Sequence, residues 1–174
     1  MLKYNFKLIL ISFFFTGCTQ TASQVSQSKI EELSFLLKSL DNSIPQKESM
    51  DLSKDIFYKT KQLTEEYEMT SPPQLHNFFV TVGIREKGLC YHWSDALYLY
   101  LSAKKYDSFE FHLMGANIGE YFSEHNALVV VAKGGKVKEG VIIDPWRKPG
   151  ELYFAKVKDD PDYVWQHRPT RGCR

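Results

Sequence analysis

The sequence has little cysteine, no surplus of either charge and no apolar run long enough to cross a bilayer, and each shortage removes a class of protein. Cysteine occurs three times in 174 residues, too few for a small scaffold stapled by several disulfides. Lysine and arginine (22) almost balance aspartate and glutamate (21), leaving a net charge of +1. The two signs are interleaved, so there is no basic stripe of the kind a nucleic-acid surface needs. There is no Walker A loop, GxGxxG turn, zinc-finger spacing or internal repeat. Nothing in the sequence calls for a nucleotide or another cofactor, and no loop signals calcium. The longest apolar run, Leu8 to Phe15, is broken by Ser12 and falls well short of the ~20 residues of a membrane-spanning helix. Aromatic residues, by contrast, make up 14% of the chain, which excludes a disordered protein and supplies material for a core.

The first residues read as an export signal. Lys3 and Lys7 precede the short apolar run, and Phe15-Thr16-Gly17-Cys18 follows it, the order of a signal peptide. This tetrad resembles the lipobox of bacterial lipoproteins, with Phe15 where leucine is usual. The resemblance implies a diacylglyceryl group on the Cys18 thiol and cleavage just before it, so that residues 1–17 are removed. It also implies a membrane as partner and an extracytoplasmic location. Thr19, rather than aspartate, follows the cysteine. In a Gram-negative cell this implies the outer membrane, on its periplasmic side or at the cell surface. Residues 18–27, rich in Ser, Thr and Gln, read as the lipidated cysteine and a flexible tether. Residues 28–174 read as a single domain.

Periodicity divides that domain into a helical half and a strand half. Ile30, Leu33, Leu36, Leu37 and Leu40 predict a helix over Ser28–Leu40. Residues 41–49, with Pro45 and few apolar side chains, read as a loop. A second helix is predicted over Asp51–Met69, burying Ile56, Phe57, Leu63 and Tyr67. Ser71-Pro72-Pro73 ends it and can open a third helix, Gln74 to about Ile84, with Leu75, Phe78, Phe79 and Val82 inward. Trp93, Ser94, Leu97 and Leu101 follow Cys90 at helical spacing and put Cys90 at the start of a fourth helix, on its apolar stripe, closed by Lys104 and Lys105. Beyond it the period shortens to two. Strands are predicted over Phe109–Met114, His125–Ala132, Val137–Asp144 and Leu152–Val157, with Gly134-Gly135 as a hairpin turn. Helices first and an antiparallel sheet after them make the fold class α+β.

Cys90, His125 and Asp144 form the one constellation that suggests chemistry. With Gly134-Gly135 as a two-residue turn, Lys133 faces Lys136, and the same register puts His125 directly across from Asp144 on one face of the sheet. A carboxylate beside an imidazole orients the ring and raises its basicity, the third role in a nucleophile–base–orienter triad. A thiol at a helix N-terminus beside an imidazolium favours the thiolate, provided the Cys90 face of the helix packs on the sheet face that bears His125. The backbone N–H of Cys90 is then available to an oxyanion.

Gly88-Leu89-Cys90 at a helix start, His125 opening a strand, and Asp144-Pro145 closing the next resemble the transglutaminase-like cysteine peptidases of the papain-like superfamily, over about residues 74–150. The resemblance implies that fold, with Cys90 as nucleophile, His125 as general base and acid, and Asp144 as orienter. It implies action on an amide bond of a protein or of cell-wall peptide, by hydrolysis or acyl transfer, with no cofactor. Tyr91, His92 and Trp93 stand where the family has small residues, and Tyr106-Asp107 where it has a glycine turn. Gln74, Asn77, Trp146 and Arg147 lie where a substrate or an oxyanion could be met.

Blander readings stand beside this one. Cys90 can pair with Cys173 in a compartment that permits disulfides, or be a small core residue. Cys90, His92, His112 and His125 share no standard zinc spacing, and no metal is assigned. Trp146 can be a core residue and Arg147 a solvated one. The rival function is a catalytically inert lipoprotein that uses the same fold to bind or to scaffold.

Overall fold

The computed structural model describes residues 25–120, 122–149 and 151–168. Cys18, the signal segment, the start of the tether and Cys173 lie outside them. Four helices come first: α1 (Gln27–Lys38), α2 (Gln46–Glu66), α3 (Pro73–Thr81) and α4 (Cys90–Lys104). A five-stranded antiparallel sheet follows, built from β1 (Phe109–Ala116), β2 (His125–Ala132), β3 (Val141–Asp144), β4 (Tyr153–Lys156) and β5 (Gln166–His167) in the order β4-β3-β2-β1-β5. The protein is α+β. Among the described residues no helix is long and apolar enough to cross a membrane.

β2 is the centre of the molecule, and its sequence says why. The run Ala127-Leu128-Val129-Val130-Val131 is apolar on both alternating faces and carries three β-branched valines, the pattern of a strand covered on both sides. Leu128 and Val130 join Val141 and Ile143 against Trp93, Leu97 and Leu101 of α4, with α1 and α2 behind. Ala127, Val129 and Val131 turn the other way, to a smaller cluster with Met114, Ile142, Val157 and Trp165. The C-terminal segment therefore forms a second cover over the sheet.

The helical stripes of α1, α2 and α4 are buried as their spacing predicts. Leu33 and Leu37, then Ile56, Phe57, Leu63 and Tyr67, then Trp93, Leu97 and Leu101 all lie in the main cluster. α2 starts earlier than expected, at Gln46, directly after Pro45, whose extended backbone is that of a helix N-cap. α4 ends in a left-handed residue, Lys105 at φ 55°, which does without glycine the work of a glycine turn.

Two expectations need correction. α3 buries its apolar side only in part: Phe78 and Val82 are 57% and 50% exposed, Leu75 and Phe79 are half-buried, and the fully buried residues are Pro73 and His76. A stripe of nine residues has the right period whether or not anything covers it. The β2–β3 connection is also longer than a two-residue turn. The chain does turn at Gly134, φ 72°, with the Gly135 N–H bonded to the Ala132 carbonyl at 2.7 Å. It then runs through a 3-10 turn, Val137–Glu139, before β3 begins at Val141.

Leu128 consequently faces Ile143, and Val130 faces Val141. Continuing that register sets Asp144 opposite Ala127 rather than His125. The shift is two residues, which moves the partner diagonally and preserves the face, where a one-residue shift would have separated the pair.

Candidate functional site

α4 delivers Cys90 to the end of the sheet where β2 begins. Its start is held by a set of polar contacts around Gly88 and Leu89. The backbone N–H groups of Gly88 and Leu89 donate to His92 Nδ1 at 3.1 and 3.2 Å, satisfying donors that a helix start leaves open. Trp93 Nε1 donates to the Gly88 carbonyl at 3.1 Å. His76 is fully buried behind this loop; its Nε2 donates to the Lys87 carbonyl at 2.8 Å and its Nδ1 accepts the Thr70 N–H at 3.2 Å. Burial pushes the pKa of His76 down, in keeping with a neutral ring that donates at one nitrogen and accepts at the other. Gly88 has φ 121°, and a Cβ there would lie 2.1 Å from His76 Nε2, so only glycine fits. The large residues after Cys90 are thus used to brace its helix: His92 caps, and Trp93 is buried in the core.

The two sheet residues arrive from the other side. By strand alternation His125 belongs with Ala127 and Val129, whereas Asn126 points with Leu128 and Val130 towards α4. The condition that α4 packs on the face bearing His125 is therefore not met along the body of the strand. Cys90 meets His125 at the strand's first residue, and it meets Asn126 directly, with Asn126 Nδ2 3.7 Å from Cys90 Sγ.

His125 and Asp144 form a contact of 2.6 Å, from Nε2 to Oδ2. The side chains are 2% and 1% exposed. His125 Nδ1 is buried without a regular hydrogen bond among the described residues. With Nε2 committed to the carboxylate, Nδ1 is the nitrogen that can exchange a proton with Cys90, whose thiol already acts on the ring. Trp146, Tyr163 and Trp165 surround the imidazole with ring centroids 4.8, 4.7 and 5.5 Å away.

Asp144 is held in turn by Arg147. Arg147 Nε donates to Oδ2 at 3.1 Å and its backbone N–H to Oδ1 at 3.3 Å. The guanidinium also bridges to Asp160 at 2.8 Å and Asp162 at 3.1 Å, and it stacks on the rings of Tyr153 and Tyr163. Burial alone would weaken the charge of Arg147, but Asp160 and Asp144 more than restore it. Arg147 therefore positions the carboxylate, with its donors on three aspartates. Asp160 also accepts from Trp165 Nε1 at 2.8 Å, which ties the aromatic cover to the same network.

Of the remaining residues singled out from the sequence, Trp146 lies over His125 and donates through Nε1 to Asn77 Oδ1 at 3.1 Å. Asn77 thereby anchors the tryptophan. Gln74 is exposed on the first turn of α3. His112 sits on β1 against His167, ring centroids 5.2 Å apart. Among the described residues no cluster of three or more His, Cys, Asp or Glu side chains is placed to hold a metal. Asn126, Tyr163, Trp165 and Asp160 were not anticipated. Asn126 has a signal in hindsight, as a polar residue that interrupts the helix-facing side of an otherwise apolar strand.

Burial alone would push the His125 imidazole down; the charge and hydrogen bond of Asp144, then Cys90, outweigh it and hold the pKa up at about 9. A folded value above the ordinary 6.5 means that the native state keeps a proton the unfolded chain releases. The resulting stability is fully present below about pH 6.5 and is lost as pH rises through about 9. Urea titrations should show wild-type stability falling across that window, at a slope approaching about 1.4 kcal/mol per pH unit, and a flatter profile for His125→Gln. Equal slopes for the two proteins would contradict the ion pair.

Compared with protein-family models, with curated proteins and with solved structures, the chain matches none of them.

Proposed function

We propose that this chain is a lipid-anchored, extracytoplasmic thiol hydrolase or acyl transferase of the transglutaminase-like kind, acting on an amide bond of a protein or of cell-wall peptide. The observation that carries the reading is the joint placement of Cys90 at a helix start, His125 beside it, and Asp144 2.6 Å from the far nitrogen of that imidazole. A thiolate of Cys90 attacks the carbonyl carbon of the substrate. His125, protonated and oriented by Asp144, gives its proton to the departing amine, and a thioester on Cys90 remains. Water or a second amine then attacks the thioester, with His125 taking the proton. Which of the two attacks decides between hydrolysis and transfer. The lipid anchor on Cys18 rests on the lipobox resemblance and fits a target fixed in or near the cell envelope.

One observation favours the rival reading, an inert binding or scaffold module. Cys90 is only 8% exposed, and Trp146, Tyr163 and Trp165 enclose His125. An enzyme with this arrangement must admit its substrate past them.

The two readings part in an acylation experiment on the full chain in detergent, with p-nitrophenyl acetate as acyl donor and intact-mass and peptide mapping as readout. The enzyme reading predicts one acetyl group on Cys90, none there in Cys90→Ala, and acetylation slowed ~10²–10⁴-fold in His125→Ala. Acetylation of Cys90 no faster than of an unstructured cysteine peptide would leave the scaffold. The anchor has its own test: labelled palmitate should enter the wild-type chain in cells and not the Cys18→Ala variant. An unlabelled wild type would contradict lipidation.

A further inference from the structure

Resting on the reading of Cys90 as a nucleophile, we infer that the Asn126 side-chain amide is the second donor to the oxyanion formed at that thiol, held in place by Arg168 and Glu124. The Asn126 carbonyl oxygen accepts from Arg168 Nη1 at 3.0 Å, and the same guanidinium nitrogen is bonded to Glu124. This fixes which way the amide points. Turned over, its NH2 would face a guanidinium, donor against donor. The observed orientation sends Nδ2 to Cys90 Sγ at 3.7 Å.

The placement is costly unless it is used. Asn126 is 6% exposed and shares its side of β2 with Leu128 and Val130, where an apolar side chain would avoid the desolvation of an amide. Its oxygen is satisfied by a cation, and that cation by Glu124, so three polar side chains hold one N–H beside a sulfur atom. Glu124 also accepts the Gly119 N–H at 2.9 Å, and Arg168 donates its backbone N–H to the Leu113 carbonyl at 2.9 Å. Both ends of the brace are therefore seated on the backbone near β1.

When the thiolate attacks, the S–C bond forms and the carbonyl π pair moves to oxygen. That oxygen sits one bond beyond the attacked carbon. An amide nitrogen 3.7 Å from the sulfur can come within about 3 Å of it, the distance at which a donor stabilises an oxyanion. The Cys90 N–H, in the first turn of α4, is the partner donor. On collapse the pair returns to re-form the carbonyl, the C–N or C–O bond breaks, and the leaving group takes its proton from His125. Asn126 loses and gains no proton in the cycle. Of the upstream amides, Asn77 is tied through Oδ1 to Trp146, and Gln74 is exposed on α3.

The test compares two reactions of the same thiol in the full chain. Iodoacetamide alkylates a thiolate by displacement and forms no oxyanion, whereas p-nitrophenyl acetate must pass through one. Asn126→Ala should lose ~10²–10³-fold in acetylation of Cys90, while alkylation at its high-pH plateau changes little. Asn126→Ser, which keeps a short donor, should recover part of the loss. Arg168→Gln should give a smaller loss of the same selective kind. In the wild type, where no folding question arises, the Asn126 side-chain NH2 resonances should shift when Cys90 is acetylated. Parallel loss of both rates in a folded variant, no loss of either, or unmoved NH2 resonances would overturn the role of Asn126 while leaving Cys90 as nucleophile. A wild-type Cys90 that is not acetylated at all would remove the nucleophile, and this role with it.

Discussion

A carboxylate and an imidazole that water scarcely reaches, 2.6 Å apart, are stable only as a pair. Removing one partner from such a contact typically costs about 3–5 kcal/mol, because the other is left charged and unsolvated. The fold near the end of β2 is arranged around keeping both. Arg147 supplies the second charge that Asp144 needs, and Asp160 balances Arg147 in turn. Burial would raise the pKa of Asp160, but its bonds to Arg147 and Trp165 bring it down. Tyr163, Trp165 and Trp146 close over the ring of His125. The C-terminal segment is thereby coupled to the site, since the residues that cover the sheet also exclude water from the ion pair.

The thiol is placed by different physics. Cys90 owes its position to a helix start braced by hydrogen bonds, from the backbone N–H groups of Gly88 and Leu89 to His92 and from the rings of Trp93 and His76 to the Gly88 and Lys87 carbonyls. Two rigid bodies, a capped helix and a central strand, meet at one point. Side chains on such elements are held more closely than side chains on loops. Asn126 and Arg168 add a third constraint at the same point, from the β1 side of the sheet.

Much of this could be read from the residues. The helical stripes of α1, α2 and α4, the position of Cys90 at a helix start and the opening of β2 at His125 all follow from period and from capping. What could not be read is where contacts cross between elements. The register of β2 and β3 depends on the 3-10 turn at Val137–Glu139, which local sequence does not announce, and the pair His125–Asp144 survived only because the shift was even. The apolar residues of α3 have the spacing of a buried stripe, yet Phe78 and Val82 face outwards, because period reports a face and not what lies against it. Arg147 could be read as solvated, but its side chain is 11% exposed and engaged with aspartates. Its partners Asp160 and Asp162 lie in a segment without regular pattern. Asn126 is not singled out by local pattern, because the residue that orients it, Arg168, is distant in sequence.

The most direct test of the account is the rate at which iodoacetamide alkylates Cys90 in the full chain, followed from pH 4 to 10 in wild type and in His125→Ala, with Cys173 monitored separately by peptide mapping. A thiolate–imidazolium pair predicts a rate near its plateau already at about pH 6, far below the ordinary thiol pKa of about 8.5, and loss of that low-pH reactivity in the variant. A rate that rises only near pH 8.5 in both proteins, or no reaction until a reductant is added, would contradict it.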